Sequence, residues 1–121
     1  MSKVDSVTLQ DAANNKYEFG VYTPDTDWAD IGTVYGFLKK NAGNSYHILY
    51  IGKAASMCNR QDDHERWKEA TRKGANHIMA CVIKDERTRQ AVEKALISFY
   101  QPEMNTQYTK QETAGRSGLY R

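Results

Sequence analysis

Two short apolar segments joined by a turn constrain the fold more than any other feature. Residues 33–39 and 46–52 are rich in Tyr, Val, Ile, Leu and Phe, and the turn Asn41–Ser45 between them contains Gly43. Runs of β-branched and aromatic residues bounded by turn residues are typical of β-strands. A connection this short joins antiparallel neighbours. The sequence therefore predicts an antiparallel hairpin at the centre of a sheet.

Three further segments predict additional strands. Residues 4–10 and 16–23 alternate apolar and polar residues on either side of turn-forming residues, which indicates an N-terminal β-hairpin. A loop with three Asp residues follows at 24–30. Residues 76–83 are almost continuously apolar, as in a buried strand.

Two helices are expected in the second half of the chain. One covers about residues 57–72 and ends near Gly74. The other begins after Asp85, a good N-cap residue, covers about residues 86–101, and is stopped by Pro102. We expect a mixed α/β fold of the α+β kind, with a small central antiparallel sheet flanked by helices.

The length of 121 residues favours a single domain. Within it we expect an N-terminal hairpin and loop (1–30) packed on a central region (31–105), and a tail (106–121). The chain has no apolar run of about 18 residues and no apolar leader at its start, which favours no membrane span and a cytoplasmic location. Cys58 and Cys81 form no metal-binding or disulfide pattern and are expected to be free thiols.

Charge is distributed unevenly along the chain. The net charge is only +2, but residues 31–73 carry eight basic and four acidic side chains, a local charge of +4. This segment is the candidate face for a polyanion. A solvated helix surface would explain the same charges.

Glu93 is the first of two misplaced charges. On a helical wheel it falls inside an apolar arc formed by Ala95, Phe99, Val92, Leu96, Tyr100 and Ile97. A carboxylate in such an arc is unfavourable unless it is paired, hydrogen-bonded or bound to a metal. Alternatively, Glu93 lies at the edge of the arc and reaches solvent.

The second misplaced charge lies on the preceding helix. Arg60, His64 and Trp67 share one face, and Arg60 and His64 are four residues apart, so their side chains are neighbours. Alternatively, Arg60 simply covers the ring of Trp67 while His64 packs as a polar core residue.

These residues occur in an order that resembles the GIY-YIG nuclease family. The two central strands carry Thr33-Val34-Tyr35 and Tyr50-Ile51-Gly52, and Arg60 follows Tyr50 by ten residues. The resemblance covers about residues 31–105. It departs from the family at Thr33, because the first motif of the family begins with Gly at this position. The matching polar positions are Tyr35, Tyr50, Arg60, His64, Glu93 and Asn105.

The resemblance implies a phosphodiester hydrolase with one divalent cation. Glu93 would hold Mg²⁺ (or Mn²⁺), since Mg²⁺ favours oxygen ligands. Arg60 would grip a phosphate oxygen with its guanidinium group. Lys53 matches a lysine common in the family after the second motif, and Gly52 would act as a spacer that permits close approach.

The same resemblance assigns the proton chemistry to the central strands. Tyr35 or Tyr50 would orient or deprotonate the attacking water, and the family pattern favours Tyr50. A free tyrosine has a pKa of about 10, but nearby cations favour the phenolate. His64 is an alternative proton relay. Asn105 would orient Glu93 or a phosphate, or would cap a helix end.

The function expected from these residues is that of a metal-dependent endonuclease acting on nucleic acid, most simply DNA. The absence of a zinc finger or helix-turn-helix pattern predicts low sequence specificity, which is compatible with single-stranded or branched substrates. The alternatives are a non-catalytic nucleic-acid-binding module and a nuclease that acts on RNA or as a toxin.

Overall fold

A five-stranded antiparallel sheet organises the chain in the computed structural model, which describes residues 3–59 and 64–106. The strand order is β1-β2-β5-β3-β4, and every neighbouring pair is antiparallel. The mixed α+β architecture expected from the sequence is confirmed. The strands are β1 (Lys3–Gln10), β2 (Lys16–Tyr22), β3 (Thr33–Lys40), β4 (Tyr46–Ala54) and β5 (His77–Val82).

The predicted N-terminal hairpin forms and extends the sheet. The side chain of Asp11 accepts hydrogen bonds from the backbone N–H groups of Ala13 and Asn15, at 3.0 Å each. This Asx-type turn reverses the chain between β1 and β2. β2 then pairs with β5, so the hairpin covers what would otherwise be an exposed edge of β5.

β3 is the most deeply buried strand. It pairs with β4 on one side and with β5 on the other, and its residues from Thr33 to Leu38 are all buried. The register with β4 shifts between Phe37 and Leu38, where a bulge changes the pairing. The central hairpin predicted from residues 33–39 and 46–52 is therefore confirmed, with β4 longer than expected.

The first helix is α1 (His64–Arg72). It ends at Arg72 and is followed by Gly74, whose φ of +104° suits glycine, and the Ala75 N–H donates to the Ala70 carbonyl at 2.9 Å. The predicted start near residue 57 is wrong. Residues 57–59 form a 3-10 turn instead, because the N–H groups of Met57 and Cys58 donate to carbonyls of the 29–31 loop.

The second helix is α2 (Glu86–Tyr100). Asp85 caps it by accepting from the Thr88 N–H at 2.9 Å, and Gln101 ends it in the left-handed conformation directly before Pro102. The buried face of this helix is rotated relative to the apolar arc predicted from the sequence. Phe99 is 46% exposed, whereas Arg89 is buried with Val92 and Leu96.

Each helix covers one face of the sheet. α2 packs through Val92 and Leu96 against a core that includes Val34 and Ile51, and we call this side the α2 face. The opposite side, the α1 face, carries Tyr35, Phe37, Tyr50, Ile78 and Ala70, with Trp67 packed against them. Because side chains alternate along a strand, consecutive residues of β3 pack into the cores on opposite faces of the sheet.

The sheet curls so that its two edge strands meet. The hydroxyl of Tyr46 on β4 donates to Asp5 on β1 at 3.1 Å, although three strands separate them in the sheet. Within the described ranges, no helix is long and apolar enough to cross a membrane. The tail from residue 107 onward lies outside the described residues.

Candidate active site at the end of the central hairpin

The two motif tyrosines lie side by side on the α1 face. Tyr35 on β3 is opposite Gly52 on β4, and Tyr50 is opposite Phe37. The ring centroids of Tyr35 and Tyr50 are 6.4 Å apart, and Phe37 stacks on Tyr50 at 5.4 Å. The pairing of β3 with β4 thus places the two tyrosines next to each other.

Gly52 makes this arrangement possible. A β-carbon at position 52 would lie 2.7 Å from the Tyr35 hydroxyl and 2.9 Å from the Tyr50 ring. Both distances are too short for any side chain without movement of the rings. The spacer role predicted for Gly52 thus has a concrete cause, because the tyrosines occupy the volume of its missing side chain.

An arginine that the sequence did not single out lies over the ring of Tyr50. Arg66 on α1 places its guanidinium carbon 5.7 Å from the centre of the Tyr50 ring, within the range of a cation–π interaction. Trp67, the next residue of α1, packs edge to face on Phe37, with ring centroids 4.9 Å apart. Two consecutive residues of α1 thus contact the aromatic cluster of the central hairpin.

Lys53 and Glu93 form a second group on the α2 face. They line an open cleft of about 470 Å³ together with Gln90, Lys94, Ile97 and Ser98 of α2. Lys53 and Lys94 are exposed, and Glu93 is half-buried. Glu93 therefore lies at the border of the apolar stripe of α2, in the same cleft as Lys53 and Lys94.

Burial raises the pKa of the Glu93 carboxyl, and the charge of Lys53 acts in the opposite direction. The desolvation effect is the larger of the two. A carboxylate held in an unfavourable environment is common where a protein needs an ion ligand or a proton carrier. Glu93 is the acidic residue in the described lining of this cleft, and its burial disfavours a free negative charge there.

The tyrosine group and the Glu93 group lie on opposite faces of the sheet, and the consecutive β4 residues Gly52 and Lys53 belong to one group each. A β-carbon at Gly52 would meet both tyrosine rings, and the next residue, Lys53, lies on the other face and lines the same cleft as Glu93. Val34, the partner of Lys53 across the hairpin, belongs to the α2 core, whereas Tyr35 belongs to the α1 core. The sequence order of the motifs does not reveal this division.

Asn105 holds the outer edge of β4. Its Oδ1 accepts from the Ile51 N–H at 2.8 Å, and its Nδ2 donates to the Ile51 carbonyl at 2.9 Å. Both polar atoms are therefore engaged by the strand between Tyr50 and Gly52. This assigns Asn105 to positioning the second motif rather than to a contact with Glu93.

Residues 103–106 are helical and have a second anchor next to Asn105. The Lys73 ammonium lies 3.1 Å from the Glu103 carboxylate, and His47 lies 3.7 Å from it. The hydrogen bond from Lys73 lowers the pKa of Glu103. Glu103, in the segment after α2, is thus joined to Lys73 next to the end of α1 and to His47 on β4.

Two predicted site residues cannot be placed on this map. Arg60 lies outside the described residues. His64 begins α1, but its side chain is not among those described.

The donor set on the α2 face suits a hard divalent cation held by few protein ligands. Among residues 3–59 and 64–106, no three His, Cys, Asp or Glu side chains come together. Mg²⁺ is commonly bound through one or two carboxylates, with waters and substrate phosphates completing its shell. Glu93 supplies such a carboxylate, and Gln90 and Ser98 add neutral oxygen atoms to the same cleft.

Comparison with known proteins adds no relative. A scan against protein-family models gave no match, and searches of curated proteins and of solved structures gave no significant match. The functional interpretation therefore depends on the residues and geometry of the chain itself.

Proposed function

We propose that this chain is a metal-dependent endonuclease of the GIY-YIG type, acting on DNA. One observation carries the proposal: two consecutive residues, Gly52 and Lys53, link a packed tyrosine pair to a half-buried carboxylate. A base, a cation and a metal-ligating acid near one strand end are what phosphodiester hydrolysis requires.

Tyr50 is the proposed group that orients and deprotonates the attacking water. It is 9% exposed, against 1% for Tyr35, so it is more accessible to solvent. The Arg66 guanidinium lies over its ring, 5.7 Å from the ring centre, so a cation is close to the proposed base. Tyr35 supports the ring of Tyr50 and is the alternative base.

Glu93 is the proposed metal ligand, with Mg²⁺ or Mn²⁺ as the cation. When bound, one such ion supplies Lewis-acid stabilisation of the charge that develops on the phosphate. Lys53 and Lys94, at the rim of the same cleft, bind phosphate oxygens and draw the polyanionic strand toward Glu93. Arg60 is proposed to hold a non-bridging oxygen of the same phosphate.

The proposed substrate is DNA cut with low sequence specificity, with single-stranded or branched forms preferred. The Glu93 cleft is open and shallow, which suits backbone contacts more than base readout. The net charge of +2 also favours weak, salt-sensitive binding over a tight duplex complex.

A cleavage assay tests the proposal. Single-stranded, duplex, branched and RNA substrates are incubated with Mg²⁺, with Mn²⁺ or with chelator, for the wild type, Glu93→Gln and the matched control Glu86→Gln. Glu86 is an exposed carboxylate on the same helix. We expect metal-dependent cleavage that Glu93→Gln abolishes and Glu86→Gln retains. Equal cleavage by all three proteins, or none by the wild type on any substrate, contradicts the proposal.

The second candidate is a nucleic-acid-binding module without catalysis. The separation of Glu93 from the tyrosines by the sheet favours it, since catalytic groups must act on one phosphate. Retained binding without cleavage in the same assay would support this candidate.

A further inference from the structure

A second cavity lies beneath the loop that joins β2 to β3. It measures about 220 Å³ and is lined from the sheet by Thr33, Ala80 and Val82, and from the loop by Trp28 and Ile31. Thr33 is two residues before Tyr35, so both side chains point to the α1 face. The cavity therefore shares a face with the motif tyrosines.

This cavity is also adjacent to Tyr35. Residues two apart on a strand are about 7 Å from each other. Ala80, which lines the cavity, is the Cα partner of Tyr35 on β5. A molecule in the cavity would lie within about one nucleotide of the tyrosine pair.

The walls of the cavity suit a flat aromatic ring. Trp28 meets Tyr22 edge to face, with ring centroids 5.0 Å apart, and both line the cavity. An apolar cavity of about 150 Å³ is enough for benzene in an engineered protein, so 220 Å³ accommodates one base but not a whole nucleotide. Aromatic side chains bind unpaired bases by stacking, whatever the base.

The charged residues that line the two pockets indicate a base in this cavity and a phosphate in the cleft of Glu93. Within the described part of the chain, its lining includes Asp27 but neither Lys nor Arg, which disfavours a phosphate there. The cations Lys53 and Lys94 lie instead in the cleft of Glu93. A carboxylate such as that of Asp27 accepts hydrogen bonds from the exocyclic amine of a base.

We infer that this cavity binds one unpaired, amine-bearing nucleobase of the cleaved strand, stacked on Trp28 and hydrogen-bonded to Asp27. The inference rests on the proposed function and names the part of the substrate that the enzyme recognises. A base can enter only when it is not stacked in a duplex, so the cavity explains a preference for single strands and branch points.

Binding of short labelled strands in the presence of chelator tests the inference without cleavage. The probes are oligo-dC, oligo-dT and an abasic strand of the same length, and the proteins are wild type, Trp28→Leu, Trp28→Phe and Phe99→Leu. Phe99 is the matched control, since it is an exposed aromatic residue on α2. We expect Trp28→Leu to weaken oligo-dC binding about tenfold, with Trp28→Phe and Phe99→Leu close to wild type. The abasic strand should bind Trp28→Leu and wild type equally.

Equal oligo-dC binding by Trp28→Leu and wild type overturns the inference, and so does an equal loss for the abasic strand. If a melting curve shows that Trp28→Leu does not fold, Asp27→Asn decides, because Asp27 is exposed. It should remove the preference for oligo-dC over oligo-dT, and an unchanged preference overturns the inference. If the wild type cleaves in a metal-dependent way while the Trp28 and Asp27 variants bind the strands as the wild type does, the base site is refuted and the proposed function stands. A wild type that neither cleaves nor binds any strand would refute the proposed function as well.

Discussion

The hydroxyl of Tyr35 occupies the space where a side chain of Gly52 would begin, 2.7 Å from the position of its β-carbon. The ring of Tyr50 approaches the same point to 2.9 Å. Three residues from two motifs are therefore packed as one unit. A change at position 52 acts on both tyrosines at once.

Gly52→Ala should destabilise the protein and disrupt the tyrosine pair. Both rings must move to admit the methyl group, and overpacking of this kind lowers the free energy of unfolding by about 1–3 kcal/mol. Urea denaturation measures the loss of stability. The cleavage assay measures the disruption of the tyrosine pair, which should reduce activity by more than the loss of folded protein explains.

Gly43→Ala is the matched control for that substitution. Gly43 has a φ of +81° and no atom within 4 Å of its missing β-carbon. The variant should lose about 1 kcal/mol through backbone strain while keeping its activity. Full activity in Gly52→Ala would show that the tyrosine packing is not required.

Asn105→Ala should loosen the outer edge of β4. It removes both hydrogen bonds to Ile51 and should lower the free energy of unfolding by about 1–3 kcal/mol. Hydrogen exchange of the Ile51 amide gives a local readout and should become much faster. Asn41→Ala is the control, because the Asn41 side chain makes no capping hydrogen bond. Unchanged protection of Ile51 would refute the positioning role.

Arg89→Ala should be among the most destabilising substitutions on α2. Arg89 is 6% exposed, and its Nη1 donates to the carbonyls of Ile83 and Lys84 at 3.1 and 3.0 Å. Losing these charge-assisted bonds should lower the free energy of unfolding by roughly 2 to 4 kcal/mol. Arg87→Ala, at an exposed position of the same helix, should stay within about 0.5 kcal/mol of wild type. Similar stability of the two variants would contradict this role.

Glu93→Gln should stabilise the protein at neutral pH. Burial raises the pKa of Glu93 in the folded state above its ordinary value of 4.5, so the folded state binds the proton more tightly than the unfolded state. Stability then falls as the pH rises from the unfolded pKa through the folded one. The neutral amide avoids this loss, so the advantage of Glu93→Gln should be present at pH 7 and vanish below the unfolded pKa. Equal pH profiles for the two proteins would show that Glu93 is not strained.

Local patterns predicted most of the fold. The alternation in residues 4–10 and 16–23, the turn at Asn41–Ser45 and the cap at Asp85 each gave an element close to the observed one. These signals depend on neighbours in sequence, so they can be read without tertiary information. The bulge after Phe37 has no such local signal.

Contacts with residues outside each helix explain the errors. Arg89 is buried because carbonyls from the β5–α2 loop satisfy its guanidinium, and a helical wheel ranks residues by polarity without such partners. Residues 57–59 leave the helix because the 29–31 loop takes their N–H groups.

The candidate site was only partly predictable. The strand pairing of Tyr35 with Gly52 follows from the hairpin register, and Gly52 was correctly identified as a spacer. Arg66 was missed because its contact with Tyr50 depends on how α1 docks. The division of Tyr50 and Glu93 between two faces depends on the path of the chain after β5.

A double-mutant cycle on cleavage of single-stranded DNA shows whether the two faces form one catalytic site. The proteins are wild type, Tyr50→Phe, Glu93→Gln and the double variant, compared by single-turnover rate. Each single substitution should slow cleavage by at least about 100-fold. The double variant should be no slower than the worse single one, because residues that act as a unit have non-additive effects. Full activity in either single variant, or losses that multiply in the double variant, would contradict a single site at the end of the central hairpin.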